Sequence, residues 1–99
     1  MRTSRTHAVL FTKEGCPPCI KTKEFAYDIL ETNLDLAETI SFMKKEYHSA
    51  LVETYSLSLY PTLLLVGPAG LELDRVVGGK AIRETLEEKL IEIYRENNP

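Results

Sequence analysis

The sequence predicts a single α/β domain, with four strands and three helices in the order βαβαββα. Two short apolar runs, at residues 7–12 and 62–66, have the length and composition of buried strands. Two longer segments, at residues 17–31 and 81–96, carry apolar residues at helical spacing. A chain of 99 residues can bury about two-thirds of its unfolded surface, which suffices for one core and for no second domain.

The first strand, at residues 7–12, is expected to lead through a sharp turn into a helix over residues 17–31. Gly15 allows the turn, and Pro17 and Pro18 suit the first turn of a helix, where their missing N–H groups are not needed. This helix should carry both cysteines of the chain near its start. Its expected apolar positions are Ile20, Phe25, Ile29 and Leu30.

The middle of the chain predicts a second strand and a short helix. Residues 33–35 interrupt the first helix, and a strand is expected over residues 38–47, where Ile40 and Phe42 alternate with polar neighbours. A short helix fits the apolar spacing of residues 51–57. It should end before Pro61, since the residue before a proline is pushed out of helical geometry.

The last part of the chain predicts a hairpin followed by a helix. Four consecutive apolar residues at 63–66 indicate a strand in the middle of the sheet. Turn residues at 68–70 join it to residues 71–77, which are expected to return as an antiparallel partner. Gly78 and Gly79 then precede a helix over residues 81–96. Its apolar stripe, expected to pack in the core, consists of Ile82, Leu86, Leu90, Ile93 and Tyr94.

Charge and composition exclude several classes of function. A net charge of −3 with mixed signs provides no basic stripe for nucleic acid or for an anionic membrane. The apolar run at residues 8–11 is too short for the core of a signal peptide, and no transmembrane segment is expected. We therefore expect a cytoplasmic protein. In the cytosol a lone cysteine pair is more often catalytic than structural.

The two cysteines, Cys16 and Cys19, have the setting of a redox pair. Cys16 falls at the predicted junction of strand and helix, where free backbone amides and the positive end of the helix dipole favour an anion. Its thiol should therefore ionise more easily than that of a free cysteine. Cys19 lies one helical turn further on and can close a small disulfide with Cys16.

Two other interpretations of this cysteine pair remain open. A C-x-x-C pair can form half of a zinc site, but a closed site needs four ligands, and only His7 and His48 remain as histidines. Their placement, on the first strand and far downstream, suits ordinary surface residues better. A purely structural disulfide is the second alternative. No metal site is predicted.

Two segments resemble a known superfamily. The run L-F-T-K-E-G-C-P-P-C, residues 10–19, resembles glutaredoxins, which carry a strand, Thr-Lys, a turn with glycine and then Cys-Pro-aromatic-Cys. Downstream, the run Y-P-T-L-L-L-V at residues 60–66 and the run V-V-G-G at residues 76–79 resemble thioredoxin. The chain is thus identified as a member of the thioredoxin/glutaredoxin superfamily. The resemblance implies the thioredoxin fold, a central four-stranded mixed sheet flanked by helices.

The resemblance also implies roles for residues beyond the cysteines. Pro61 would have a cis peptide bond and face the disulfide, while Tyr60 would offer backbone groups to an extended substrate strand. The ammonium of Lys13 would favour the Cys16 thiolate. If glutathione is used, one of its carboxylates would bind at the helix that follows Gly78 and Gly79.

The chain departs from the families it resembles at Leu10, Gly15, Pro18 and Leu59-Tyr60, all beside the predicted site. Leu10 stands where thioredoxins usually have an acidic residue, so their buried proton acceptor is absent here. Pro18 stands where glutaredoxins place an aromatic residue between the cysteines.

The predicted function is that of a monomeric thiol-disulfide oxidoreductase that reduces protein disulfides. The Cys16 thiolate would attack a substrate disulfide and Cys19 would resolve the mixed disulfide, with no bound cofactor other than their own disulfide. By resemblance, thioredoxin reductase is the implied electron donor and ribonucleotide reductase a plausible acceptor. The alternatives are a glutathione-dependent glutaredoxin and a thioredoxin-fold interaction subunit without redox turnover.

Overall fold

The structure, a computed structural model, describes residues 5–99; residues 1–4, the start of the predicted domain, lie outside the described residues. The helices and strands follow the predicted βαβαββα order, which is confirmed. They are β1 (His7–Thr12), α1 (Pro17–Thr32), β2 (Ile40–Lys44), α2 (Ser49–Thr54), β3 (Thr62–Val66), β4 (Glu72–Val77) and α3 (Gly79–Asn97). Within residues 5–99, no helix combines the length and the apolar character that a membrane span requires.

The four strands form one mixed sheet in the order β2-β1-β3-β4. β1 runs parallel to β2, so α1 serves as the crossover between them, while β1–β3 and β3–β4 are antiparallel pairs. Phe11 near the end of β1 lies opposite Thr62 at the start of β3. The loop that follows β1 and the turn that precedes β3 therefore lie side by side at the same end of the two central strands.

Both faces of β1 are buried, as expected for a central strand. Ala8 and Leu10 contribute to a core that β1 forms with α1 and α3. Val9 and Phe11 point to the opposite face, because alternate residues of a strand face opposite sides, and there they form a second core with Leu64. Leu10 is 0% exposed, which confirms its predicted burial.

The buried face of α1 differs from the predicted one. Ile20 is 57% exposed, so its assignment to the apolar face is wrong. The buried positions are Cys19, Thr22, Ala26 and Ile29. Phe25 and Leu30 pack partly against the core. A helical residue next to Cys19 points about 100° away from it, so burial of the cysteine side of α1 turns Ile20 towards solvent.

The second strand is shorter than predicted. β2 covers only Ile40–Lys44, and short 3₁₀ helices at Leu34–Thr39 and Lys45–Tyr47 replace the ends of the predicted strand. The Thr39 hydroxyl donates a hydrogen bond of 2.6 Å to the carbonyl of Leu36. This local side-chain bond closes a helical turn in place of strand pairing.

The short helix α2 also ends earlier than predicted, at Thr54. Ser56 has a φ of +53°, a left-handed conformation that a helix cannot continue through. The N–H of Leu57 then returns to the carbonyl of Val52 at 2.9 Å. Leu57 is therefore buried in the second core although it lies beyond the helix.

The final helix begins two residues earlier than predicted, at Gly79. Gly78 precedes it with a φ of +98°, and the Gly78 carbonyl accepts the hydrogen bond of the Ile82 N–H at 3.0 Å. The predicted core stripe is confirmed at Ile82, Leu86, Leu90 and Ile93, which are buried, while Tyr94 packs partly against the same core.

Candidate functional site

The cysteine pair lies at the junction of the β1–α1 loop and α1. Gly15 adopts a φ of +65°, a left-handed turn that glycine adopts without strain. Cys16 follows as the residue that caps α1, and it forms a disulfide with Cys19, with their Cα atoms 5.2 Å apart. The predicted junction is therefore confirmed, and so is the proximity of the two sulfurs.

One backbone amide donates to the sulfur of Cys16. The N–H of Cys19 lies 3.2 Å from the Cys16 Sγ atom. Pro17 and Pro18, the two residues between the cysteines, have no N–H, so Cys19 provides the first amide that can reach this sulfur. At the positive end of α1, the Cys16 sulfur therefore accepts one backbone hydrogen bond, from Cys19.

The two cysteines differ slightly in exposure, 5% for Cys16 and 2% for Cys19. Cys19 lies inside α1 on its buried side. In the reduced protein we expect iodoacetamide to alkylate Cys16 first, because Cys16 lies at the start of the helix and the Cys19 N–H can stabilise its thiolate. Mass mapping after short exposure near neutral pH measures this order. Faster labelling of Cys19 would reverse the roles of nucleophile and resolving thiol.

Pro61 lies at the same edge of the sheet as the cysteines. The Tyr60–Pro61 peptide bond is cis, as predicted. Pro61 is buried and directly precedes β3, whose first residue pairs with the end of β1. The Pro61 carbonyl accepts a hydrogen bond of 2.9 Å from the Gly78 N–H. This bond connects the proline turn to the start of α3.

Tyr60 places its ring in the second core but leaves its hydroxyl without a partner. Its Oη atom is buried, and among the described residues it has no hydrogen-bond partner. Desolvation by burial, followed by the nearby charge of Glu46, raises the pKa of Tyr60. The Lys45 Nζ atom lies 5.5 Å from the centre of the ring. An unsatisfied buried hydroxyl destabilises a fold.

Tyr60→Phe should therefore increase the free energy of unfolding, by about 1 kcal/mol. The ring would keep its packing, and the backbone of residue 60 would be unchanged. If Tyr60 contacts substrate through its backbone, disulfide reduction should also be retained. Urea unfolding and an insulin reduction assay measure the two effects. A large loss of activity in a stable variant would show that the hydroxyl itself contacts substrate.

Lys13 lines a cleft of about 320 Å³ beside the cysteine pair. Cys19, Ile20 and Tyr27 also line this cleft, and the exposed Ile20 and Tyr27 make part of its wall apolar. The Lys13 side chain is exposed. Its predicted effect on the Cys16 thiolate stays a prediction.

Two contacts from β2 and the turn after it hold the loop before Cys16. The Lys44 Nζ atom lies 3.1 Å from the Glu14 Oε1 atom, and the Glu14 N–H donates to the Glu46 Oε2 atom at 3.1 Å. The hydrogen bond with Glu14 raises the pKa of Lys44. Sequence reasoning missed these residues because the partners are about 30 positions apart in the chain and follow no motif.

Each of the two glycines at the start of α3, Gly78 and Gly79, is required by the local structure. Gly78 needs its positive φ, as described above. A Cβ atom at Gly79 would lie 2.8 Å from the Thr22 Oγ1 atom, so glycine permits the close approach of α3 to α1. Their predicted contact with glutathione stays a prediction.

The expectation of two ordinary surface histidines is wrong for His7, which is half-buried. The His7 Nε2 atom forms a hydrogen bond of 2.8 Å with the Ser41 Oγ atom, and burial lowers the pKa of His7. The reason is tertiary, because Ser41 lies on β2, the strand that pairs with β1. In the described part of the chain, no three His, Cys, Asp or Glu side chains cluster closely enough to hold a metal ion.

Comparison of the sequence finds no matching family model and no matching curated protein. Comparison of the structure finds thioredoxins. The thioredoxin of Malassezia sympodialis has a TM-score of 0.71 and 20% identity, covering 91% of this chain and 76% of that one. For Fasciola hepatica thioredoxin the TM-score is 0.68, the identity 21% and the coverage 90% and 81%. Trypanosoma brucei brucei thioredoxin has a TM-score of 0.67 and 24% identity, covering 92% of this chain and 76% of that one.

These similarities agree with the architecture already described. The match extends over nine-tenths of the chain, so it includes the sheet and its helices together. A four-stranded mixed sheet between helices, with a cysteine pair at the start of α1, is common to the prediction and the structure. This chain therefore has the thioredoxin fold.

Proposed function

We propose that the protein is a thiol-disulfide oxidoreductase that reduces disulfides of other proteins through Cys16 and Cys19. The observation that carries this proposal is the disulfide at the start of α1, with the Cys19 amide directed at the Cys16 sulfur. A purely structural disulfide would need neither a position at the start of a helix nor an amide directed at one of its sulfurs. A short loop of this kind also restricts the unfolded chain little.

The reaction begins with the reduced protein. The Cys16 thiolate attacks one sulfur of a substrate disulfide, the substrate S–S bond breaks, and a mixed disulfide forms. The departing substrate thiolate takes a proton from water. Cys19 then attacks the Cys16 sulfur, the bond between Cys16 and the substrate breaks, and the proton that Cys19 gives up passes to the departing sulfur, which leaves as the second substrate thiol. The substrate gains two electrons and two protons, and the protein is left with the Cys16–Cys19 disulfide.

Cys16 is the nucleophile because the fold stabilises a negative charge on its sulfur. The Cys19 N–H donates a hydrogen bond to it, and the positive end of the sixteen-residue helix α1 lies beside it. Cys19 is one turn inside the same helix, so it reaches the mixed disulfide without a large backbone movement.

Substrate binding is proposed at the turn before β3. Within residues 5–99, neither the N–H nor the C=O of Tyr60 takes part in a loop hydrogen bond. These groups are free to pair with an extended segment of a substrate, in the manner of strand addition. Pro61, held by Gly78, keeps this turn beside the cysteine loop.

A second candidate electron donor is glutathione. The first turn of the nineteen-residue helix α3 lies next to Pro61 through the Gly78 hydrogen bond, where its amides could bind a glutathione carboxylate. Thioredoxin reductase is proposed as the main donor, and ribonucleotide reductase is one acceptor that such a dithiol could serve.

Two coupled assays test the proposed function. One contains NADPH, thioredoxin reductase and insulin; the other contains NADPH, glutathione and glutathione reductase with the same substrate. We expect insulin reduction and NADPH oxidation in the first assay. Turnover only with glutathione would indicate the glutaredoxin alternative. Activity no higher than that of the Cys16→Ser/Cys19→Ser control in both assays would contradict the proposal and favour an interaction subunit.

A further inference from the structure

A groove of about 470 Å³ lies between the first turns of α1 and α3. It is lined by Pro17, Pro18, Lys21, Gly79, Lys80 and Arg83. Three of these residues are cations and none is an acid. This groove, called the cationic groove below, begins at the residue that follows Cys16. None of the functional roles described above involves its three cations.

The charges of the cationic groove are not neutralised within the described part of the protein. Lys21 and Lys80 are exposed, and neither forms a salt bridge with another described residue. Arg83 donates only to the Thr22 hydroxyl, at 3.3 Å. By contrast, Arg75 and Lys89 each pair with a carboxylate. The residues that line the groove thus carry three positive charges and no negative charge, on a chain with a net charge of −3.

The position of these cations works against fold stability. Neither α1 nor α3 has an acidic residue in its first turn, although acidic residues are favoured there by the helix dipole. Lys80 instead adds positive charge in the first turn of α3. Residues that lower the stability of the fold are expected mainly at functional sites. An anion in the groove would remove this unfavourable interaction.

Arg83 and Gly79 give the groove a defined shape. The Arg83 guanidinium is held against α1 by the Thr22 hydroxyl. Gly79 has no side chain to fill the space between the helices, and an added Cβ atom would lie 3.0 Å from the Arg83 Nη1 atom. The groove is thus held open by contacts between α1 and α3, next to the turn that carries Pro61.

We propose that the cationic groove binds the carboxylates of an acidic polypeptide segment that flanks the disulfide of a protein substrate. This inference rests on the proposed function and adds the class of substrate. A segment that follows the attacked cysteine must pass within a few residues of Cys16, and each extended residue spans about 3.3 Å. The cations stand on two helices, which suits several carboxylates along one chain better than a single small anion.

The first experiment measures binding without chemistry. Two peptides of equal length carry serine in place of cysteine and differ only in flanking residues, Asp and Glu in one and Asn and Gln in the other. We expect the acidic peptide to shift the backbone amide NMR signals of Lys21, Lys80 and Arg83 in the intact protein. The neutral peptide should not shift them. Equal shifts, or none with the acidic peptide, would overturn the proposal regardless of enzymatic activity.

The second experiment measures reduction of the matching disulfide peptides. Lys21→Gln/Lys80→Gln should lower the rate with the acidic peptide ~2- to 30-fold, as expected from two exposed ion pairs, and leave the rate with the neutral peptide unchanged. Arg95→Gln removes an exposed cation at the other end of α3 and should change neither rate. Because salt screens exposed charges, the preference for the acidic peptide should disappear near 1 M salt.

The outcomes separate this inference from the proposed function. If the parent reduces the neutral peptide but shows no preference for the acidic one, the substrate class is wrong and the oxidoreductase proposal stands. If the parent reduces neither peptide yet binds the acidic one, the proposed function fails and the groove remains an acidic-segment site. Oxidised glutathione serves as a third substrate. A variant defect confined to glutathione would overturn the polypeptide assignment.

Discussion

Cys16→Ser should abolish disulfide reduction, and Cys19→Ser should leave the protein covalently joined to its substrate. In the proposed mechanism the Cys16 thiolate begins the exchange, so the first variant should form no mixed disulfide. The second variant forms it but lacks the sulfur that would release the substrate. Turnover in the insulin assay should fall to the background rate for both. Non-reducing electrophoresis with mass mapping should find the adduct only with Cys19→Ser, attached at Cys16.

The double variant Cys16→Ser/Cys19→Ser is the matched control, since serine is close to cysteine in size but removes both sulfurs. The far-ultraviolet circular dichroism of all three variants should match that of the parent. If either single variant reduced insulin at a rate comparable to the parent, the two-cysteine mechanism would be wrong. A trapped adduct at Cys19 in Cys16→Ser would exchange the two assigned roles.

Leu10→Asp should strongly destabilise the fold. Leu10 is 0% exposed, lies opposite Leu63 in the central strand pair and belongs to the core shared with α1 and α3. A truncated core leucine costs about 2–5 kcal/mol, and a buried polar group without a partner adds about 1–3 kcal/mol. Urea unfolding of parent and variant measures the difference. A variant as stable as the parent would contradict the observed burial.

The pH dependence of this defect has a defined sign. Desolvation should raise the pKa of the introduced carboxyl in the folded state above its unfolded value of about 3.9. The folded variant then binds the proton more tightly than the unfolded chain does, so its defect should grow as the pH rises above about 4. Leu10→Ala is the control, because it leaves a cavity without a charge. The difference between the two variants should shrink towards low pH.

The same substitution tests the absence of a buried proton acceptor behind the cysteines. In Cys19→Ser, where Cys16 is the one thiol left in the sequence, the thiolate absorbance should rise with pH as one step, because Leu10 cannot ionise. In Cys19→Ser/Leu10→Asp, coupling to the introduced carboxyl should divide the rise into two steps. A two-step curve in Cys19→Ser would reveal an acceptor elsewhere in the protein.

Much of this fold follows from local features of the sequence. The bounds of β1 and β3 agree with the apolar runs that predicted them, because strands buried on both faces carry few polar residues. Gly15 and the two prolines likewise define the start of α1, since each restricts or permits a particular backbone conformation. The cysteine pair could therefore be placed at a strand-to-helix junction without knowledge of the tertiary structure.

Other features depend on which elements meet in three dimensions. Apolar spacing assigned Ile20 to the core, but α1 packs against α3 through Thr22 and Gly79, two small residues without a strong hydrophobic signal. The pairing of β2 with β1 brings Ser41 to the half-buried His7, and the ends of the predicted second strand become 3₁₀ turns. The cationic groove likewise exists only because α1 and α3, about 60 residues apart in sequence, begin at the same edge of the sheet. Periodicity along one segment reports which side of it is apolar, whereas the partner that covers that side is decided by packing between distant segments.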